Sequence, residues 1–126
     1  MNTLHAPEFE RSSCPITNIL DLLGDRWTLL VIRDLFLGKT RYTDFFQSAE
    51  GIPSNILANR LKRLEKVGMV QKSAYCQKPL RNQYQLTQKG RDLLPILEAM
   101  ERWATRYVPG VKVFPRFVRD RNEPVS

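Results

Sequence analysis

Apolar residues recur at helical spacing through the first half of this chain, lapse into a loose alternation, then return to helical spacing. Behind Pro15, whose missing N–H costs nothing in a first turn, Ile16, Ile19, Leu20 and Leu23 follow the 3.6-residue period up to Gly24. Asp25 is placed to cap a second helix from Trp27 to about Leu37, where Leu29, Leu30, Val31, Ile32 and Leu35 leave little polar surface. Gly38 ends that helix. Thr40-Arg41-Tyr42 reads as a short extended piece, and Thr43 as the cap of a third, short helix carrying Phe45 and Phe46. A fourth helix starts at Pro53 or Ser54 and stops at Gly68. Met69 to Tyr75 alternates, Lys78-Pro79-Leu80-Arg81 is a turn, and Gln83 to Leu86 returns as a second strand. Thr87 caps a last long helix running to about Tyr107, before Pro109-Gly110.

The fourth helix has two chemically distinct faces. At about 100° per residue, Leu61 and Leu64 fall within about 40° of Leu57, while Asn55, Asn59, Lys62 and Lys66 fall within about 40° of the opposite side. One stripe packs and the other faces out. Lys and Asn are common on any solvated helix face, so the pattern alone is modest. Asn, however, offers a donor and an acceptor together, matching adenine N6 and N7 in the major groove. Ser54, Asn55 and Asn59 lie toward the N-terminal end that a helix-turn-helix directs at base edges, with Lys62 and Arg63 further along for phosphate. Arg60 lies toward the core side and suits an ion pair that anchors the helix. In the turn between the strands, Lys78 and Arg81, with Lys72 nearby, are placed for backbone or minor-groove contact. Lys39 and Arg41, ahead of the third helix, are further phosphate candidates. The element order predicts an α+β, mainly helical, winged helix-turn-helix with added helices at both ends. It is expected to be a single domain over residues 1–126: an arm at 1–13, core and dimerisation helices at 14–107, and a basic tail at 108–126.

Charge sharpens this picture. Between Lys39 and Arg91 stand eleven Lys and Arg against three acids, a net of +8, whereas the remainder carries nine bases and ten acids. The whole surplus of +7 therefore comes from the segment with the amide-bearing helix and the turn, as polyanion binding requires. With one histidine and two cysteines, the chain offers no His-based catalytic or metal constellation and no disulfide scaffold, and no phosphate-binding loop is present. No cofactor and no enzymatic activity are expected; a thiol enzyme acting through Cys14 would lack a histidine base. No apolar run approaches a membrane span and the first residues lack the apolar core of a signal peptide, so a cytoplasmic protein with no membrane partner is expected.

In the last helix Leu93, Ile96, Leu97, Met100, Trp103, Ala104 and Tyr107 fall at i, i+3, i+4, i+7, i+10, i+11 and i+14. Such a stripe exceeds what one edge of a small domain covers, and exposed it would form a patch that points to self-association. Leu93, Ile96, Leu97, Met100, Trp103 and Tyr107 are the expected dimer interface, with the first helix joining in. Cys14 is either a small buried apolar residue or, standing before Pro15 at the opening of a helix, a thiol whose anion the bare N–H groups favour; Arg11 adds positive potential nearby.

Cys14-Pro15, Leu23-Gly24-Asp25-Arg26-Trp27-Thr28-Leu29-Leu30, Gly51-Ile52, Leu57-Ala58-Asn59-Arg60-Leu61, Leu64-Glu65-Lys66-Val67-Gly68 and Tyr84-Gln85-Leu86-Thr87-Gln88-Lys89-Gly90 together resemble the HxlR-type transcriptional regulators over roughly Cys14 to Tyr107. The resemblance implies a bacterial or archaeal homodimer that binds operator DNA. Several members of that family respond to oxidants or electrophiles through a cysteine at the position matching Cys14. Leu80 and Asn82 depart from the family pattern in the turn, as does the longer tail with Lys112, Arg116, Arg119 and Arg121. The expectation is a regulator, most simply a repressor, that binds palindromic double-stranded DNA as a homodimer and responds to oxidation through Cys14. A protein-interaction winged helix, or control by a small-molecule effector at the dimer interface, are the alternatives.

Overall fold

The computed structural model of the protein describes residues 11–112. Along them run α1 (Pro15–Leu23), α2 (Thr28–Phe36), α3 (Tyr42–Phe45), α4 (Ser54–Lys66), β1 (Val70–Gln77), β2 (Leu80–Leu86), α5 (Gln88–Arg91) and α6 (Leu94–Tyr107). Expectations for residues 1–10 and for the tail beyond Lys112 lie outside the described residues.

Helix α2 is the centre of the molecule, with Val31 to Phe36 buried without interruption. Around it Leu57, Leu61 and Leu64 of α4, Phe45 of α3 and Val70 of β1 close the core, each no more than 2% exposed. Asp25 does hold the start of α2: its carboxylate accepts the N–H groups of Trp27 and Thr28 at 3.0 and 3.2 Å. The run of buried positions also includes Arg33 and Asp34, which the apolar pattern did not suggest would be inside.

Three local expectations change. Thr43 lies inside α3 instead of capping it. The reaching-back role falls to Asp44, whose carboxylate accepts the N–H groups of Thr40 and Arg41 at 3.2 and 3.0 Å. The long final helix is two helices, α5 and α6, separated at Asp92 and Leu93. Pro95 explains the break: it has no N–H to give the carbonyl of Arg91, and its ring would crowd that carbonyl in a continuous helix. The hairpin is longer than predicted, reaching Gln77 on one strand and starting at Leu80 on the other.

The strands pair antiparallel from Val70 opposite Leu86 to Ala74 opposite Asn82, then shift register so that Cys76 faces Arg81. Tyr75 is the extra residue of this bulge. On the far side of β2 the short segment ahead of α3 adds a third strand of minimal length, with Arg41 bridged to Gln83 and the Tyr84 N–H bonded to the Thr40 carbonyl at 2.7 Å. The hairpin is thereby tied to the α2–α3 corner as well as to α4.

At the other end of the hairpin, Thr87 caps α5, accepting the Gly90 N–H and donating to the Gly68 carbonyl. Gly90 packs so tightly here that a Cβ would lie 2.2 Å from the Met69 carbonyl oxygen, a backbone atom that cannot step aside. Gly90→Ala should cost about 1–3 kcal/mol and lower the thermal unfolding midpoint by several degrees. An unchanged midpoint would show that α5 does not sit against Met69 as described.

Candidate nucleic-acid interface

Helix α4 is held on the domain by an apolar stripe and by one carboxylate. The Asp25 carboxylate, already capping α2, also accepts the Thr28 hydroxyl, Arg60 Nε at 2.8 Å and Arg63 Nη2 at 2.9 Å. Arg63 Nη2 further reaches the Leu22 carbonyl and Thr28 Oγ1 at 3.1 and 2.9 Å. Burial raises the Asp25 pKa, but bonds from Thr28, Arg60 and the Trp27 N–H outweigh it and hold the carboxyl far below its ordinary value. Two arginines one turn apart on α4 thus converge on the α1–α2 corner and fix the rotation of the helix about its axis.

A second polar cluster braces α2 against the turn ahead of α4. Arg33 donates through both Nη atoms to the Glu50 carboxylate at 2.9 and 2.8 Å, and through Nε and Nη2 to Asp34 Oδ1 at 3.0 and 2.8 Å. Ser48 donates to Asp34, and Lys39 donates to Ser48 at 2.6 Å. The fork-on-carboxylate geometry holds the Glu50 carboxyl down at about 2, chiefly through the hydrogen bonds from Arg33. Tyr42 completes the bracing by donating its hydroxyl to the Ser54 carbonyl at 3.1 Å, at the start of α4.

With α4 so fixed, Ser54, Asn55, Ala58, Asn59, Lys62 and Lys66 are its exposed residues. Lys78 and Arg81 are exposed at the tip of the hairpin, and Lys72 on β1 lies 3.8 Å from Glu65. Arg41 is exposed beside the hairpin, its guanidinium carbon 3.9 Å from the centroid of the Tyr75 ring. Two of the expected phosphate contacts point elsewhere. Arg63 is committed to Asp25 and the Leu22 carbonyl, and Lys39 turns inward to Ser48 and Asp34, so both brace the fold. Arg60, read from the sequence as an anchor, is one.

The apolar stripe of α6 divides as well. Leu93 and Leu97 are buried in the chain's own core, which corrects their assignment to a dimer interface. Ile96, Met100, Trp103 and Tyr107 are 36%, 50%, 62% and 59% exposed, and on α1 Ile16 and Leu20 are 68% and 54% exposed. Trp103 and Tyr107 lie ring to ring, their centroids 5.2 Å apart.

Cys14 is an exposed free thiol at the N-cap of α1, and Cys76 is a half-buried one in β1. The Thr17 N–H, the Thr17 hydroxyl and the Ile16 N–H pull the Cys14 pKa below the usual thiol value. Arg11, expected to add positive potential near Cys14, is paired with Asp21 at 2.6 Å. Among the described residues no group of three or more His, Cys, Asp or Glu side chains is gathered to hold a metal ion, and no helix is long and apolar enough to cross a membrane.

Helix α3, the turn and helix α4, followed by a hairpin, define a winged helix-turn-helix protein. Residues 22–112 match the HxlR-like helix-turn-helix family, and the chain belongs to it. It is 38% identical over 90 residues to the HTH-type transcriptional regulator Mb3122 of Mycobacterium bovis, a match covering 71% of this chain but only 56% of that one. It is 32% identical over 102 residues to the HTH-type transcriptional regulator YvaP of Bacillus subtilis, covering 81% and 88% of the two chains. Among solved structures, that of PA1607 superposes with a TM-score of 0.73 at 36% identity, covering 93% of this chain and 82% of the other. The reduced form of the transcriptional regulator YodB from B. subtilis gives 0.65 at 30%, covering 80% and 100%. The reduced form of the redox regulator HypR gives 0.68 at 31%, covering 74% and 92%. The family and these relatives are transcriptional regulators and not enzymes, which agrees with the reading of the sequence.

The bracing carboxylates make stability depend on pH. Glu50 falls from an ordinary 4.5 to about 2 on folding, and Asp25 and Asp44 also fall below their ordinary values. A carboxyl whose pKa is depressed by folding adds stability that is complete above its unfolded pKa and drains away as pH falls toward the folded value. Denaturant titrations between about pH 5 and 2 should therefore show stability falling with acid, and Glu50→Gln should make that fall shallower. A variant with the wild-type slope would show that the Arg33–Glu50 pair is not maintained in solution.

Proposed function

We propose that this protein is a sequence-specific DNA-binding repressor that occupies palindromic operators as a homodimer in the cytoplasm. The observation that carries the reading is the division of α4: Leu57, Leu61 and Leu64 are at most 1% exposed while Ser54, Asn55, Asn59 and Lys62 face solvent. An amide-bearing helix of 13 residues, fixed in rotation and presented beside a cationic hairpin tip, suits a major groove for the helix and the adjacent backbone or minor groove for Lys78 and Arg81. The exposed apolar residues of α6 and α1 supply a self-complementary surface for the second protomer, and two-fold symmetry then sets paired half-sites. Repression follows if the occupied site overlaps a promoter. A protein-interaction module would have no use for a charge surplus confined to the same segment. The shallow cleft beside Glu50 and Trp27 has room for roughly one water, too little for an organic effector.

Footprinting should reveal two protected half-sites with centres about 10 bp or a multiple of it apart. Asn59→Ala should reduce discrimination between cognate and random duplex by roughly 1–3 kcal/mol. Protection of a single half-site by a monomer, or discrimination indifferent to both Asn55 and Asn59, would remove the reading.

Cys14 extends the proposal to redox control. Its support is the exposed sulfur at the N-cap of α1, the helix that carries Ile16 and Leu20 into the expected dimer surface, together with the likeness to YodB and HypR. Oxidation or alkylation there would tilt α1 and change the spacing of the two α4 helices. In a Cys76→Ser protein, Cys14 should be alkylated with a midpoint below the free-thiol value of about 8.5, and its modification should weaken operator binding. Unaltered binding by protein whose Cys14 is fully modified, as judged by mass, would leave Cys14 without a sensing role.

A further inference from the structure

Between the recognition helix and the wing lies a dipeptide that touches both. Tyr42 bonds to the first residue of α4 through the Ser54 carbonyl, while its neighbour Arg41 is bridged to Gln83 of β2 and lies over the ring of Tyr75 in β1. Tyr75 reaches that position because it is the extra residue of the bulge, between Ala74 opposite Asn82 and Cys76 opposite Arg81. In a regular ladder successive side chains alternate between faces; the inserted residue resets the alternation and re-aims a side chain. The ring is thereby spent on a cation at the edge of the sheet and not on the core.

The state of Arg41 is unlike that of the other bracing arginines. Arg33, Arg60 and Arg63 are each paired with at least one carboxylate. Arg41 is in no salt bridge among the described residues. Asp44, the nearest acid by its electrostatic effect, uses its carboxylate on the N–H groups of Thr40 and Arg41. A guanidinium whose central carbon lies over a ring face needs no acceptor for that contact, so its N–H groups remain available for a bidentate partner. Stacking also removes rotamer freedom that would otherwise be lost on binding. The charge is exposed and oriented, and it is held in no salt bridge among the described residues.

We propose that Tyr75 is a positioning residue that holds Arg41 for a bidentate contact to a DNA phosphate in the gap between the stretches gripped by α4 and by the wing. This deepens the DNA-binding reading and rests on it. Because the same dipeptide is pinned to Ser54, the phosphate contact sets the distance between helix and wing on the duplex.

The test is the salt dependence of binding to a random-sequence duplex by the full chain and by Arg41→Gln, Arg41→Lys, Tyr75→Leu, Tyr75→Phe and the Arg41→Gln/Tyr75→Leu double variant, each checked for an unchanged circular dichroism spectrum. Arg41→Gln should reduce the slope of log K against log salt by about 0.9 per protomer. Tyr75→Leu, which carries no charge change, should move the slope the same way, Tyr75→Phe should restore it, and the double variant should be no worse than Arg41→Gln alone. Arg41→Lys keeps the charge but loses the planar fork, and should bind more weakly than the full chain at every salt concentration. A wild-type slope in Tyr75→Leu, additive losses in the double variant, or Arg41→Lys equal to the full chain would overturn the proposal. Should Tyr75→Leu change the spectrum, Tyr75→Thr, which suits a strand and also removes the ring, takes its place in the same comparison. Failure of the unmodified protein to bind any duplex in a salt-dependent way would instead remove the DNA-binding reading beneath it.

Discussion

Asp25 is the residue on which the presentation of α4 depends. Its two oxygens accept from the N–H groups at the start of α2, from the Thr28 hydroxyl and from two arginines of α4, so one carboxylate joins the two helices. Cap and ion pair reinforce one another: the N–H groups that favour an anion at a helix start also keep it charged for Arg60 and Arg63. Loss of this group would strand two part-buried guanidiniums and a helix start together.

Polar and apolar contacts divide the work between them. Burial of Leu57, Leu61 and Leu64 contributes on the order of 5–9 kcal/mol toward keeping α4 on the core, far more than the clamp. That attraction is nearly indifferent to a rotation of a few degrees about the helix axis. Hydrogen bonds with fixed geometry are not, and a reader of base edges must hold its amides to within such tolerances. The Arg33–Glu50 fork and the Tyr42–Ser54 bond play the same part at the start of α4. The wing is placed by related means, through the Thr40–Tyr84 and Arg41–Gln83 contacts on β2. On α6 and α1 the exposed Ile96, Met100, Trp103, Tyr107, Ile16 and Leu20 are apolar.

The parts of this arrangement that follow from period were legible in the sequence. The leucine stripe and the amide face of α4 are opposite because 100° steps put them there, whatever the tertiary setting. Arg60 was readable as an anchor for the same reason, since it falls on the core flank. Arg63 falls nearer the outer face on the wheel, and only the position of Asp25 shows that a long side chain can still reach inward from it. Asp25 itself was read as a cap alone, because sequence shows the helix that follows a residue and not the helix folded against it. Charge alone makes Lys39 a phosphate candidate, and its intramolecular partners Ser48 and Asp34 approach it only after α2 and α3 fold together. In the last helix Pro95 was a visible break signal, outweighed by an apolar period that continues across it. Leu93 and Leu97 shared that period with Trp103, yet the first part of the stripe meets the core and the later part runs past its edge. The bulge at Tyr75 left no mark in the sequence that composition or period could detect.

The central claim is that the rotation of α4 fixed by Asp25 turns Ser54, Asn55, Asn59 and Lys62 toward DNA. Its most direct test is a titration of the isotopically labelled protein with a duplex from its own upstream region, followed through the side-chain amide resonances of Asn55 and Asn59 and the backbone resonances of 11–112. The account predicts that both side-chain amides shift, with backbone changes along α4 and at the tip between β1 and β2, while α2 stays unperturbed. Shifts confined to α6 and α1, with Asn55 and Asn59 silent at saturation, would contradict it.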